Sequence, residues 1–383
     1  MENNQNTEIQ QQISKPAAKL PIIAITQGDT NGVGYEVIFK AFETNAMFEI
    51  CIPVVYGWPK AALFHKKTLE LPVNFNEIKN VADAKEGCLN LLNCGDEEVK
   101  INFGNPSPEA GRAAFSALER AVDDCVAGRV DALITAPINK ADIQSDDFHF
   151  AGHTEYLESK AQGEALMILM NRLMRVALVT THLSIADVAK HITQEVVEKK
   201  IQLFYNALRT DFLLPAPRIA VLGLNPHNGD NGLMGDEEEN IVKPAVQAMK
   251  EKGIPCFGPY PADGFFGAAM YTHFDGILAM YHDQGLTPFK ALSMDDGVNF
   301  TAGLSIVRTS PDHGTAYDIA GKNLASPQSM REAIYAAIDI TRNRVADENA
   351  KTNPLPKLFN DRREDDASRR RAPENPKNEE SKE

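Results

Sequence analysis

The sequence is short of the features that mark secreted and membrane proteins. It contains only five cysteines, odd in number and scattered, and none forms a C-x-x-C pair, which argues against a disulfide framework and a thiolate zinc cage. No apolar run approaches the roughly 18 residues that cross a bilayer, and the amino end lacks the basic and then apolar layout of a signal peptide. These absences predict a reduced, cytoplasmic protein that does not enter a membrane.

Positive charge is also scarce. Lys and Arg number 39 against 53 Asp and Glu, which gives a formal net charge of −14. A net-acidic chain repels nucleic-acid phosphates unless it carries a concentrated basic patch. The run Arg369, Arg370 and Arg371 lies in a tail in which acidic residues are interleaved throughout, so no nucleic-acid partner is expected. A composition of 43% hydrophobic and 24% charged residues is typical of a globular protein and excludes a disordered or fibrous chain.

The chain is too long for one ordinary hydrophobic core and has the length of two domains with additional ends. Residues 1–19 are polar and without periodicity, and residues 346–383 are mostly charged, so both ends are predicted to be disordered tails. The catalytic region between them, residues 20–345, is predicted to form two domains between which the chain crosses more than once.

Within this region, short runs that are apolar throughout alternate with longer amphipathic segments. Such runs are typical of strands buried on both faces, and the segments between them have helical spacing and several end at Gly. The alternation predicts an α/β fold with a mainly parallel sheet. The predicted strands lie in residues 20–26, 52–57, 131–137, 175–182, 217–227 and 275–282, and the predicted helices in residues 109–128, 194–212, 238–253 and 326–345.

Three of the nine histidines share one context. His182, His227 and His282 each follow directly on an apolar, strand-like run. Because the carboxyl ends of parallel strands form the ligand-binding rim of an open sheet, three imidazoles placed there can converge on one point. Three imidazole ligands suit a divalent metal and leave a coordination position open for substrate or water. The alternative is three unrelated histidines, but three in matching positions favour a metal site, with Asp263 and Asp283 available as further partners.

An acidic enzyme that binds an anion needs a few cations directed inward. Lys290 and Arg308 supply such cations, and Asn299 lies between them in sequence. His153 and Thr154, which follow Gly152, suit hydrogen bonding or acid–base chemistry. The dinucleotide fingerprint G-x-G-x-x-G is absent, although the glycine-rich turn after the first strand could place backbone amides near an anion. These residues favour a metal-dependent α/β enzyme acting on a small anion.

Nine motifs are spread over about residues 20–345, namely TQGDTNGVGYE, ITAPINK, GHTEY, TTHL, GLNPHNGDNGLMG, PADGFF, AMYHDQG, GVNFTAGL and RTSPDHGTA. Together they resemble, in order and spacing, the 4-hydroxythreonine-4-phosphate dehydrogenase family of vitamin B6 biosynthesis.

The resemblance implies a two-domain fold similar to isocitrate and isopropylmalate dehydrogenases, with the active site in the cleft between domains. It also implies a homodimer whose active site uses residues of both subunits. The reaction would be oxidation of 4-phosphooxy-L-threonine by NAD, with NADP as an open alternative, and loss of carbon dioxide to give 3-amino-2-oxopropyl phosphate.

The same resemblance assigns roles to single residues. The metal, zinc, cobalt or magnesium, would be bound by His182, His227 and His282. The substrate would contact His153, Thr154, Lys290, Asn299 and Arg308. The catalytic set is His153, Lys290 and Asp263, with Lys290 either protonating the enolate or binding phosphate.

Three other functions remain open at this point. A sister decarboxylating dehydrogenase would act on another phosphorylated or aromatic hydroxy acid. A three-histidine metallohydrolase would use the open metal position to activate water. A metal or metabolite sensor would bind without turnover.

Overall fold

The computed structural model describes residues 19–95, 100–144, 149–150, 152–293 and 295–352. The predicted tails therefore lie outside the described residues, apart from residue 19 and residues 346–352, which belong to the last helix. Described residues up to Val345 belong to one compact unit, and those from Ala346 onward to a second. The larger unit contains every predicted site residue.

A twelve-stranded sheet runs through the described residues of the larger unit, in the order β3-β4-β2-β1-β5-β12-β11-β6-β7-β10-β8-β9. Neighbouring strands are parallel, except for the pairs β12–β11, β11–β6 and β6–β7 in the middle. The predicted α/β fold with a mainly parallel sheet is confirmed, whereas the division into two domains remains a prediction. The strands are β1 Ile22–Thr26, β2 Ile52–Gly57, β3 Phe75–Ile78, β4 Leu89–Asn93, β5 Ala132–Thr135, β6 Gly163–Met170, β7 Arg175–Leu178, β8 Ile219–Leu222, β9 Cys256–Tyr260, β10 Gly276–Ala279, β11 Val298–Leu304 and β12 Arg308–Pro311.

Helices connect most of the strands, and each predicted helical segment overlaps one. Helix α3, Pro108–Val126, is capped by Ser107, whose Oγ accepts a hydrogen bond from the amide of Ala110. Helix α6, Gln194–Thr210, is capped in the same way by Thr193. None of the described helices is both long and apolar enough to cross a bilayer. The helices are α1 Gly34–Ala41, α2 Pro59–Thr68, α3 Pro108–Val126, α4 His153–Lys160, α5 Ile185–His191, α6 Gln194–Thr210, α7 Lys243–Glu251, α8 Ala262–Gly267, α9 His282–Leu292 and α10 Gln328–Thr352.

The glycine-rich turn after β1 is buried in the protein. The amide of Asp29 donates to the carbonyl of Pro137, and the amide of Val33 donates to the carbonyl of Thr315. Gly28 has a φ of +69°, and a Cβ there would lie 2.5 Å from the Pro137 oxygen. The turn therefore joins β1 to the segments after β5 and β12. Because the amides of Asp29 and Val33 already donate to these carbonyls, they are not available to bind an anion.

Candidate active site

The three predicted metal ligands follow three neighbouring parallel strands. Strand β10 pairs in parallel with β7 on one side and with β8 on the other. His182 follows β7, His282 follows β10 and His227 follows β8. The rings of His182 and His282 lie 6.0 Å apart, centroid to centroid. The structure thus brings these two imidazoles together at one edge of the sheet.

Hydrogen bonds tie the three strand ends to one another. The Thr180 hydroxyl donates to the carbonyl of Met280 at 2.8 Å, which joins the ends of β7 and β10. The amide of Met280 donates to Gln284 Oε1 at 2.7 Å, and Gln284 Nε2 donates to the carbonyl of Gly223 at 2.6 Å. The backbone just before each of the three histidines is therefore fixed relative to the other two.

Two of these imidazoles have a carboxylate at Nδ1. In His282 this nitrogen lies 2.7 Å from Asp283 Oδ1, and in His182 it lies 3.7 Å from Glu155 Oε1. The His182 ring lowers the pKa of Glu155 below its usual 4.5. A carboxylate hydrogen-bonded to Nδ1, as at His282, fixes the orientation of the ring and leaves Nε2 as the metal-binding nitrogen, whereas the contact at His182 is a longer ion pair. Asp283 thus lies where the sequence offered it as a partner of a ligating histidine.

The third histidine, His227, is not grouped with His182 and His282 around a common metal position within the described residues of one chain. His227 lies exposed in the turn Pro226–Gly229 with a φ of +53°. Within the part of the chain that the structure describes, no group of three His, Cys, Asp or Glu side chains is arranged to hold a metal. The chemistry of the donors nevertheless fits zinc or cobalt, whereas magnesium prefers oxygen ligands.

A buried guanidinium marks a place for an anion. Arg308 is 2% exposed and begins β12. Its Nε and Nη2 donate to the hydroxyl of Thr135, and its Nη1 donates to the hydroxyl of Thr301. A guanidinium has five N–H donors, so these three bonds leave two for a ligand. Burial lowers the pKa of Arg308 to about 10, which still leaves it charged at neutral pH. The Glu155 carboxylate acts on this charge electrostatically without forming an ion pair with it, so a bound anion would supply the direct partner that the guanidinium lacks among the described residues.

Unpartnered polar atoms are present among the predicted substrate residues. His153, the first residue of α4, has a buried Nε2 atom without a hydrogen-bond partner, and so does the buried Oδ1 of Asn299 in β11. Thr154 follows His153 in the same helical turn. Buried polar atoms are nearly always hydrogen-bonded, so two such atoms point to a bound ligand.

Burial, together with the charges of Arg308 and Lys140, lowers the pKa of His153 well below its usual 6.5. We expect its ring to stay neutral at about pH 6, because protonation would place a third cation beside those two. In the unfolded chain the His153 ring is protonated at a higher pH than in the folded protein. The free energy of unfolding should therefore fall as the pH decreases below about 6.5. Ring NMR signals and urea unfolding at about pH 8 and about pH 6 test this, with His153→Gln as the control that loses this part of the pH dependence. A His153 ring that titrates near its usual value would contradict it.

Lys290 lies on α9, eight residues beyond His282. Its Nζ lies 3.2 Å from Asp312 Oδ1, and Asp312 follows β12. Burial raises the pKa of Asp312, whereas the positive charge of Lys290 lowers it.

The residue after Asp312, His313, has a buried Nε2 atom without a hydrogen-bond partner. Asp312 and His313 belong to the wall of a cavity whose other lining residues are Val33, Val37, Ser293, Asp295, Gly297, Ala316, Ile319, Ala325, Ser326 and Ser329.

Asp263 lies exposed in the first turn of α8, and its side chain makes no hydrogen bond or ion pair with the described residues. Its catalytic role remains a prediction.

Four charged or titratable residues of the site had no assigned role in the sequence analysis. Glu155 contacts His182, Lys140 acts electrostatically on His153 and Glu155, and Asp312 and His313 line the cavity. Lys140 follows β5 and Asp312 follows β12. The signal that could have identified Lys140 and Asp312 is their position after a strand, within the motifs ITAPINK and RTSPDHGTA.

Comparison with known proteins identifies the family. Residues 49–337 match the family model of the "Pyridoxal phosphate biosynthetic protein PdxA". The 4-hydroxythreonine-4-phosphate dehydrogenase of Bacteroides thetaiotaomicron is 56% identical over 345 residues, 90% of this chain and 95% of that protein. The enzyme of that name from Sulfurihydrogenibium sp. is 44% identical over 323 residues, 84% of this chain and 99% of that protein. A crystal structure of 4-hydroxythreonine-4-phosphate dehydrogenase from Klebsiella pneumoniae has a TM-score of 0.73 at 36% identity, covering 85% of this chain and 99% of that one. The chain therefore belongs to the PdxA family of pyridoxal phosphate biosynthetic proteins.

Proposed function

We propose that the protein is a 4-hydroxythreonine-4-phosphate dehydrogenase of pyridoxal phosphate biosynthesis. It oxidises the secondary alcohol of 4-phosphooxy-L-threonine with NAD and releases carbon dioxide, leaving 3-amino-2-oxopropyl phosphate. The observation that carries this proposal is the buried, unpaired guanidinium of Arg308 beside the unpartnered Nε2 of His153. The name shared by the two relatives supports the same substrate.

Each substrate group has a complementary residue. Arg308 binds the phosphate through its two remaining N–H donors, and Thr154 and Asn299 hydrogen-bond the substrate beside it. The neutral ring of His153 accepts the hydroxyl proton as the carbon that bears this hydroxyl loses hydride, for which bound NAD would be the acceptor. The resulting ketone is β to the carboxylate, so the electrons of the breaking carbon–carbon bond move to the ketone oxygen as carbon dioxide leaves. Lys290 then donates a proton to the enolate carbon.

The proposed metal ligands are His182, His227 and His282. A divalent cation bound by them would supply positive charge that stabilises the negative charge developing on the substrate oxygen. Asp283 holds the ring of His282 with Nε2 available, and Glu155 lies 3.7 Å from Nδ1 of His182.

The cavity beside His313 is the proposed site of the dinucleotide. Apolar walls, including Val37 and Ile319, suit an adenine ring, and the unpartnered Nε2 of His313 suits a polar group of the cofactor. The cavity is lined by Asp295 and Asp312 and by no Lys or Arg among its described residues. Carboxylates accept hydrogen bonds from ribose hydroxyls, and although Lys290 balances the charge of Asp312, Asp295 would repel a 2′-phosphate, so we expect NAD to be preferred over NADP.

The protein is further proposed to be a homodimer whose partner completes the active site. The histidine-bearing loops expose apolar side chains, namely Leu183, Ile185, Leu233 and Met234. Apolar groups exposed around a polar site are typical of an interface.

Mixing His227→Ala with Arg308→Ala protein tests whether the active site is shared between subunits. If His227 and Arg308 of one site come from different subunits, each mixed dimer contains one intact site of two. Because about half of the dimers are mixed when equal amounts are combined, about a quarter of wild-type activity should return. No regained activity would place both residues in the same subunit.

A turnover assay tests the function. Protein reconstituted with zinc or cobalt is given 4-phosphooxy-L-threonine and NAD, and NADH absorbance and carbon dioxide are followed. We expect both products in equal amounts, and less activity with NADP. A sister dehydrogenase would form NADH faster with another hydroxy acid, and a hydrolase would form none.

A further inference from the structure

A buried carboxylate holds the backbone that leads into His227. Glu238 is 1% exposed and lies in the π-helical turn Glu238–Val242. Its Oε1 accepts hydrogen bonds from the amides of Leu224 and Asn225, each at 2.7 Å, and its Oε2 accepts one from Asn225 Nδ2 at 3.0 Å. These contacts all lie within the three residues before His227. These three N–H donors satisfy the buried carboxylate in the absence of an ion pair with any described residue.

The loop beyond these contacts has an unusual backbone. Six consecutive residues have positive φ angles, and four of them are not glycine: His227, Asn228, Asp230 and Asn231, with Gly229 and Gly232 between and after them. Residues with side chains rarely adopt this conformation, and it persists only where surrounding contacts determine it. The presentation of the His227 ring therefore depends on the contacts that hold the ends of the loop.

Two glycines of the loop motif make room for this carboxylate. A Cβ at Gly229 would lie 2.9 Å from Glu238 Oε2, and a Cβ at Gly223 would lie 3.1 Å from Glu238 Oε1. Side chains at these positions would push the carboxylate away from the amides that it binds. The approach of Glu238 is thus one reason for glycine at positions 223 and 229, beside the still closer Asn228 Oδ1 and Gly235 carbonyl oxygen, and Gly229 also has a positive φ.

We infer that Glu238 is a positioning residue that holds His227 in the conformation required for metal binding. This inference rests on the proposed three-histidine site. A carboxylate suits the role because it only accepts hydrogen bonds, and the three groups that bond to it here are N–H donors; Asn225 Nδ2 also donates to Glu237 Oε2 at 2.7 Å. An amide would keep one acceptor oxygen for the two backbone amides but would turn an NH2 group toward the Asn225 side chain.

Cobalt binding to the full-length protein tests the inference. Affinity is measured by chelator competition, and the coordination by the visible spectrum of the bound cobalt. We expect Glu238→Ala to weaken cobalt binding by about 10- to 100-fold and Glu238→Gln by a smaller factor, as for other groups that orient a metal ligand. Glu239→Gln is the matched control, because Glu239 lies in the same turn but is exposed and pairs with Lys243. It should bind cobalt like the wild type.

The variants separate the possible outcomes. Wild-type cobalt affinity and spectrum in folded Glu238→Ala would overturn the inference, provided that His227→Ala loses affinity. If His227→Ala also binds like the wild type, the three-histidine site itself is wrong, and Glu238 loses this role with it. Should Glu238→Ala fail to fold, as judged by circular dichroism, Glu238→Gln decides: weakened binding supports the inference, and unchanged binding overturns it.

Discussion

Replacing His227 with alanine is expected to abolish NAD-dependent turnover of 4-phosphooxy-L-threonine. Metal coordination can lower the pKa of bound water from 15.7 to about 7, roughly 12 kcal/mol at 1.36 kcal/mol per pKa unit, which exceeds the contribution of any single hydrogen bond. Loss of one of three ligands should therefore lower kcat by at least about a thousandfold. NADH formation and the metal content of the purified protein measure the effect.

His191→Ala provides the matched control. His191 is an exposed histidine at the end of α5, where its Nδ1 contacts the carbonyl of Asp187, and it has no place in the proposed site. Its replacement should leave both turnover and metal content unchanged. Full activity in His227→Ala would remove this imidazole from the mechanism, whereas lost activity with full metal content would mean that His227 acts on the substrate instead.

The positions of the three histidines follow from local sequence, but their partners do not. An apolar run that ends in His182 or His282 predicts a strand end, and neighbouring parallel strands bring such ends together. Glu238 lies eleven residues beyond His227 in a segment with helical spacing, and nothing local distinguishes its carboxylate from those of Glu237 and Glu239. Only the fold shows that it is buried under the His227 loop.

The centre of the sheet was the least predictable part of the fold. Strand β6 has the sequence GEALMILM, in which Ala, Leu and Met favour helices, and it was not among the predicted strands. Its neighbours β11 and β7 both pair with it antiparallel, and β11 lies more than 120 residues further along the chain. Such distant pairing overrides local propensity and cannot be read from the sequence of β6 alone.

Arg308→Met is expected to lower kcat/KM for the phosphorylated substrate strongly without lowering stability. Removing one partner of a buried, hydrogen-bonded charge pair costs about 2–5 kcal/mol, which corresponds to roughly 30- to 5,000-fold in kcat/KM. Arg308→Lys should recover little of this loss, because an ammonium keeps the charge but not the planar fork that reaches Thr135, Thr301 and phosphate together.

Stability separates a substrate role of Arg308 from a structural one. A buried cation without a carboxylate partner is costly in the free protein, so an apolar side chain of similar size should leave the free energy of unfolding unchanged or raise it. Inorganic phosphate should raise the melting temperature of the wild type and not that of Arg308→Met, because binding to the folded state alone stabilises it. Urea unfolding and thermal melts with and without phosphate measure both effects. A strongly destabilised Arg308→Met with unchanged kcat/KM would make the guanidinium a structural link between β5, β11 and β12, and the anion would have to bind elsewhere.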